Sequence, residues 1–257
     1  IPMQQHLIWF LRILIVIQSL GYAAKLAAPS ALNSYLLGSM GGSFVSGLDH
    51  AVWLFLLFAS VALLVLGFLR PAVSSVLGKV DFALLGLLAL WPFTLAVFSW
   101  LNNMGDAFHA TDPIGHAVRF AAPLALVILS FNPNQLWQNR VDWLLRLSVA
   151  GAFIGHGLCA WWIKPSFIDL IVGTLDTVLG QDLAASASRQ TFAEASLPVI
   201  AVQDFILVAL LLLPNRKIRT VAMWMALWGF VTAMSRMTAY GWGNWHDLAL
   251  RICNGGI

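Results

Sequence analysis

The residues able to do chemistry in this chain are few and stand in apolar surroundings. Arg119 in GHAVRFAAP, Arg236 in MSRMTAYGWG and Arg251 in HDLALRIC carry guanidiniums, and Asp204, in VQDFILVALLLL, falls near the middle of an apolar run. A charge at such depth is costly unless it is paired or lines a cavity. One reading places Asp204 within ion-pair reach of Arg236, Arg119 or Arg251 and lets the remaining arginines reach the headgroups. The other is a pocket for an anion or a carbonyl-rich head group, because three guanidiniums against one deep carboxylate leave a positive surplus. A quinone, a lipid phosphate, a haem propionate or a sulfur oxyanion would each satisfy it.

His156, in LLRLSVAGAFIGHGLCAWW, is flanked by Gly155 and Gly157. Glycines let a neighbouring helix or a ligand approach closely, so the imidazole reads either as a helix-to-helix hydrogen bond or as the wall of that pocket. It is expected to face the bundle interior, whereas Tyr22, its counterpart in the repeat described below, serves packing. His50, His109, His116 and His246 fall at or beyond the outer ends of apolar runs and are the weak candidates for a metal. Their spacing argues against one, since no HxH or HxxxH occurs and His109 and His116 are separated by a Pro-containing loop. A haem would require His156, His116 or His246 as axial ligand. Quinone therefore leads, ahead of haem or metal. Cys159 and Cys253 form no CxxC and read as small buried thiols.

These side chains need a scaffold, and the composition names it. The chain has 257 residues, 60% hydrophobic and only 10% charged, against about 25% charged in a soluble domain. That is an integral membrane protein whose first partner is the lipid bilayer. Apolar runs long enough to span are placed near 7 to 28, 48 to 69, 80 to 101, 115 to 132, 141 to 162, 195 to 214, 219 to 240 and 245 onward. They are continuous rather than alternating, so the expected fold is all-α, with about eight transmembrane helices and no barrel. The last segment covers about half a span and the first residue is Ile1, so the chain reads as cut at both ends and no signal peptide can be judged.

With Ile1 inside, the inner connections carry Arg70, Lys79, Arg140, Arg216, Lys217 and Arg219, and the outer ones Lys164 and Arg189, with Lys25 at the border. The positive-inside rule then puts the N-terminus in the cytoplasm, in a prokaryotic inner membrane. No basic block interleaved with aromatics points to nucleic acid, and there is no phosphate loop or GxSxG motif. Arg12 and Arg146, about a turn inside the inner face, can snorkel to the headgroups. Of the twelve tryptophans, Trp91, Trp224 and Trp228 are deep enough to meet a ring-shaped ligand.

The segment from Trp9 lies over that from Trp143, with Arg12 on Arg146, Gly21 on Gly155 and Pro29-Ser30 on Pro165-Ser166. VALLVL from Val61 answers VALLLL from Val208, and His116 falls opposite His246. The chain thus reads as two four-helix units, 1–135 and 136–257. Even numbers of spans make them parallel, related by an axis along the membrane normal. In the second unit, residues near 166–182 put Phe167, Ile168, Ile171, Leu175, Val178 and Leu179 on one face and Asp169, Asp176 and Asp182 on another, an amphipathic helix on the outer surface.

LLRLSVAGAFIGHG and FLRILIVIQSLGYAAKL resemble the opening helix of DoxX-type membrane proteins: Arg, an apolar run, His-Gly or a lone Gly, then Lys-Leu. The first copy has Tyr22 in place of histidine, the second Trp161 in place of lysine, and a tandem fusion departs from the usual single four-helix unit. The resemblance implies a membrane subunit associated with redox partners. With the residues above, the leading expectation is a subunit of a redox complex, a possible quinone-linked oxidoreductase, holding a quinone in the outer half by Arg119, Arg236, Arg251, Asp204 and His156. A non-catalytic scaffold for other protein subunits, in the membrane or on the outer face, is the competing expectation, and a small-anion transporter the third.

Overall fold

The computed structural model describes residues 2–69, 75–131, 135–182, 184–213 and 218–256. Among them every regular element is helical: α1 Pro2–Lys25, α2 Ala31–Leu36, α3 Gly42–Leu69, α4 Val76–Asn102, α5 Ala107–Ala110, α6 Asp112–Gly115, α7 Ala117–Phe131, α8 Gln135–Trp161, α9 Pro165–Leu179, α10 Ser186–Leu212, α11 Ile218–Tyr240, a 3-10 turn at Trp242–Asn244, α12 Trp245–Ala249 and α13 Ile252–Gly256.

Among the described residues six helices, α1, α3, α4, α8, α10 and α11, are long and apolar enough to cross a membrane. This is fewer than the eight expected. The run read as 115 to 132 forms α7, whose 15 residues fall short of the roughly 20 needed to span. The segment from 245 forms only the short α12 and α13. Lipid is the fitting surround, since Phe58, Phe68 and Met223 remain 63%, 76% and 72% exposed, a cost in water that acyl chains remove. Arg70, Arg216 and Lys217, three of the residues that set the expected orientation, lie outside the described residues.

The stretch LLGSMGGSFVSGLDH is more ordered than a Gly- and Ser-rich connection suggests. Asp49 on α3 is buried and accepts hydrogen bonds from Ser30 N–H (3.0 Å), Ser30 Oγ (2.6 Å) and Asn33 Nδ2 (2.8 Å). Ser30 in turn caps α2 through the Asn33 N–H. One carboxylate thus ties α2 to α3.

Arg12 does not snorkel. It is 4% exposed and grips Asp81 of α4 with two parallel bonds of 2.8 Å, Nη1 also donating to the Leu63 carbonyl at 2.9 Å. A planar fork against a carboxylate neutralises both charges inside the bundle. Arg146, its counterpart, is more exposed and pairs within its own helix with Asp142 at 2.7 Å. The difference lies in the partner, because Arg12 has an aspartate across the helix pair.

In the first half α1 packs on α3, α4 on α7 and α2 on α4; in the second, α8 packs on α10, α11 on α13 and α9 on α11. The core between the first-half helices is filled by fully buried Leu11, Ile15, Leu56, Leu63, Leu85 and Leu126. Two close approaches lock the halves together. A Cβ on Gly21 of α1 would lie 2.5 Å from the Leu250 nitrogen, and one on Gly155 of α8 would lie 2.8 Å from the Gly115 Cα. α1 and α8 thus each receive, at a glycine, a short segment from the other half of the chain.

Candidate functional site

α8 stops in a turn that sets the site's lid. Ile163 adopts a left-handed conformation, φ 54°, while its N–H bonds to the Ala160 carbonyl and that of Lys164 reaches the Cys159 carbonyl. This is a Schellman ending. Pro165, preset for a first helical turn, then starts α9 at once.

The sharp reversal lays α9 back over α10 and α11. Gly173 presses on Ala239, Thr174 Oγ1 lies 2.9 Å from Thr238 Oγ1, Thr177 Oγ1 donates to the Thr238 carbonyl, and Asp176 is ion-paired with Arg189 of α10. A helix, Pro165–Leu179, stands where the amphipathic one is expected near 166–182; Phe167, Ile171 and Leu175 of the expected apolar face border a cavity, whereas Val178 and Leu179 are 69% and 67% exposed.

That cavity, about 260 Å³, lies between α8, α9, α10 and α11 and is walled mainly by apolar groups such as Phe153, Ile171, Leu175 and Leu197. A second, polar cavity of about 230 Å³ adjoins it, bordered by Lys25, Asp112, His116, Arg119, Lys164 and Asp247. The two share His156, Phe167, Leu170, Arg236 and Arg251 in their walls. Helices too far apart in sequence to be paired by pattern thus bring all three candidate arginines and His156 to one place.

Arg119 is 3% exposed, and its Nε and one Nη find no acceptor among the described residues. The backbone of its helix is fixed by Gln18 of α1, whose Nε2 donates to the Arg119 carbonyl at 2.8 Å. Arg251 donates from Nη1 to the Asp247 carbonyl (2.8 Å) and Oδ1 (3.0 Å), leaving Nε unpartnered. Arg236 donates to the Thr232 carbonyl of its own helix. Lys25, which the sequence left at the border, bonds Asp247 at 3.1 Å. Burial alone would raise the Asp247 carboxyl, but the charges of Arg251 and Lys25 and their hydrogen bonds outweigh it and hold the pKa at about 2.

His156 stands on the shared wall, its ring near-parallel to that of Phe167 with centroids 6.1 Å apart. Its Nε2 is buried without a partner among the described residues. Tyr22 is buried in the main core.

Asp204 does not pair with an arginine. Its carboxylate, 3% exposed, accepts a hydrogen bond from the Trp228 side chain, and Oδ1 has no partner among the described residues. The cause is position: Asp204 sits at the α8–α10 crossing against Gly157, while Arg251 and Arg236 are directed to Asp247 and Thr232. It borders the apolar cavity, where Trp228, one of the three deep tryptophans, is its partner. Trp91 is buried and Trp224 is 48% exposed.

The other histidines scatter. His109 lies 3.0 Å from Asp112 Oδ2, and Ser99 also bonds that oxygen, at 2.6 Å. His50 stacks on Trp53 and His246 meets the Trp245 ring. Only His116 joins the polar cavity. Among the described residues no three His, Cys, Asp or Glu side chains are grouped to hold a metal ion, because these histidines sit on separate elements, His50 on α3, His109 on α5 and His246 on α12.

Comparison with family models, curated proteins and solved structures found no match for the chain.

Proposed function

We propose that this membrane protein holds an amphipathic ligand in its two adjoining cavities, the apolar part between α8, α9, α10 and α11 and an acceptor-rich head toward Arg119, Arg236 and Arg251. The observation that carries this reading is the shared wall of His156, Phe167, Leu170, Arg236 and Arg251, since one elongated molecule would touch both lining chemistries through it. The DoxX resemblance adds the class: a membrane subunit of a redox complex, with a quinone as ligand.

The residues fit such a head. Unpartnered donors at Arg119 and Arg251 and the unpartnered His156 Nε2 line the place where its oxygens would lie. A quinone, when bound, supplies two-electron, two-proton chemistry. The chain's guanidiniums donate to oxygen and stabilise charge that develops there. His156 can carry a proton between the cavities, and α9 keeps bulk water from the apolar side.

We further read the chain as two four-helix units in a prokaryotic cytoplasmic membrane, N-terminus inside, with α7 and α13 in the fourth place of each. The matching helix contacts and the reciprocal approaches at Gly21 and Gly155 support the repeat.

The test is extraction of the purified protein, with absorbance and mass spectrometry of what is released, beside His156→Phe. The expected result is a stoichiometric quinone in the wild type and less in the variant at equal assembly. A wild type that carries no such ligand and binds no added decylubiquinone overturns the quinone.

A further inference from the structure

We infer that the polar cavity is an oxyanion site of the phosphate class, built by Arg119, Arg236 and Arg251. The inference rests on the two-cavity reading above and not on the quinone: it gives the polar cavity an anionic occupant in place of a neutral carbonyl.

Charge is the first argument. Five cationic side chains border this cavity, Lys25, Arg119, Lys164, Arg236 and Arg251, against the two carboxylates Asp112 and Asp247. Both carboxylates are engaged. Asp247 takes Arg251 and Lys25, and Asp112 takes Ser99 and His109. Arg119 and Arg236 are left without an ion pair among the described residues, and Lys164 lies over the Phe108 ring at 5.6 Å.

Burial is the second. Arg119, which borders the cavity, is almost wholly removed from the surface, and its Nε and one Nη meet no acceptor among the described residues. A desolvated guanidinium without a counter-charge is strongly unfavourable. A neutral carbonyl would accept a hydrogen bond but leave the charge. An oxyanion supplies both, and the fork of arginine matches it with paired bonds.

Shape is the third. The three arginines come from α7, from α11 and from the α12–α13 junction, so guanidinium-bearing residues of three separate elements border the cavity. That arrangement suits a tetrahedral group with acceptors on several sides better than a planar carboxylate. The adjoining apolar cavity offers room for a chain attached to it. A lipid-borne phosphate and free phosphate share this chemistry, and the experiment separates them.

The protein, purified in detergent, is titrated at fixed ionic strength with inorganic phosphate, short-chain phosphatidic acid, the matching phosphatidylcholine, dodecanoate and decylubiquinone, with binding read by thermal shift and calorimetry. Phosphatidic acid is expected to bind, with affinity about tenfold or more lower in Arg119→Gln and in Arg236→Gln, the loss of a charged hydrogen bond. Among the described residues Arg236 bonds only its own helix, so its variant tests the site even where Arg119→Gln does not fold. Ile171→Trp, which fills the apolar cavity, should weaken phosphatidic acid and spare inorganic phosphate if the anion arrives on a lipid. Inorganic phosphate bound as tightly as phosphatidic acid, indifferent to Ile171→Trp, supports the site with a free anion as its source. Equal binding of phosphatidylcholine or dodecanoate, or unchanged affinity in Arg236→Gln, overturns the inference. Binding of decylubiquinone alone overturns it while the two-cavity reading stands, and binding of none of these ligands removes both.

Discussion

Gly155 of α8 packs backbone to backbone on Gly115 of α6, so that a Cβ at 155 would stand 2.8 Å from the Gly115 Cα and 3.2 Å from the Thr111 carbonyl. His156 follows Gly155 and His116 follows Gly115, so this contact sets how two imidazoles enter the polar cavity.

Gly155→Val should therefore wedge the two halves apart. Overpacking at such a contact costs about 1–3 kcal/mol, read as a lowered midpoint of thermal unfolding in detergent. Gly86→Ala on α4 is the control, because an added Cβ there meets nothing within 4 Å and the change favours helix by about 0.5–1 kcal/mol. Equal effects at the two sites would remove the packing argument.

The Arg12–Asp81 pair, with side chains 5% exposed on both partners, should behave as a buried ion pair. Asp81→Leu alone strands a guanidinium and is expected to cost about 3–5 kcal/mol, whereas Arg12→Met with Asp81→Leu should recover most of that loss. A double-mutant cycle on unfolding free energy measures it; additive losses would mean that the pair does not act as a unit.

Ile163 offers a stabilising change. A β-branched residue in the left-handed region is strained, and glycine relieves roughly 1–2 kcal/mol of that. Ile163→Gly should raise the unfolding midpoint, provided Lys164 keeps its bond to the Cys159 carbonyl. A lower midpoint would show that the isoleucine side chain contributes more by contact than its backbone costs.

Asp247 predicts an acid limb. Its folded pKa of about 2 lies below the ordinary carboxylate value of 3.8, so the stability it contributes is complete above the unfolded value and is lost as pH falls through about 2. In Asp247→Asn that part of the pH dependence between about 4 and 2 should disappear. Unfolding midpoints of both proteins across this range measure it; parallel curves would mean that Asp247 is not held by Arg251 and Lys25.

Much of the class was legible without coordinates. Long apolar runs state a helical membrane protein because buried backbone in lipid must bond to itself, and the face carrying Phe167, Ile171 and Leu175 announced α9. The glycines around His156 announced a close approach at that point, while leaving open whether a helix or a cavity would meet the imidazole. Arg119, Arg236 and Arg251 stood out as a surplus of charge in apolar sequence.

What the chain order could not state was who meets whom. Arg12 and Arg146 look alike in sequence, yet only Arg12 finds an aspartate across the bundle. Asp204 looked destined for an arginine, but its place at the Gly157 crossing gives it Trp228. Lys25 and Asp247 are 222 residues apart and bond directly. Local pattern reports the burial and periodicity of a residue, which depend on its near neighbours along the chain. Ion pairs, cavity walls and the partner of a buried charge depend on how helices cross, and that is decided by side-chain volumes and glycine contacts summed over the whole bundle.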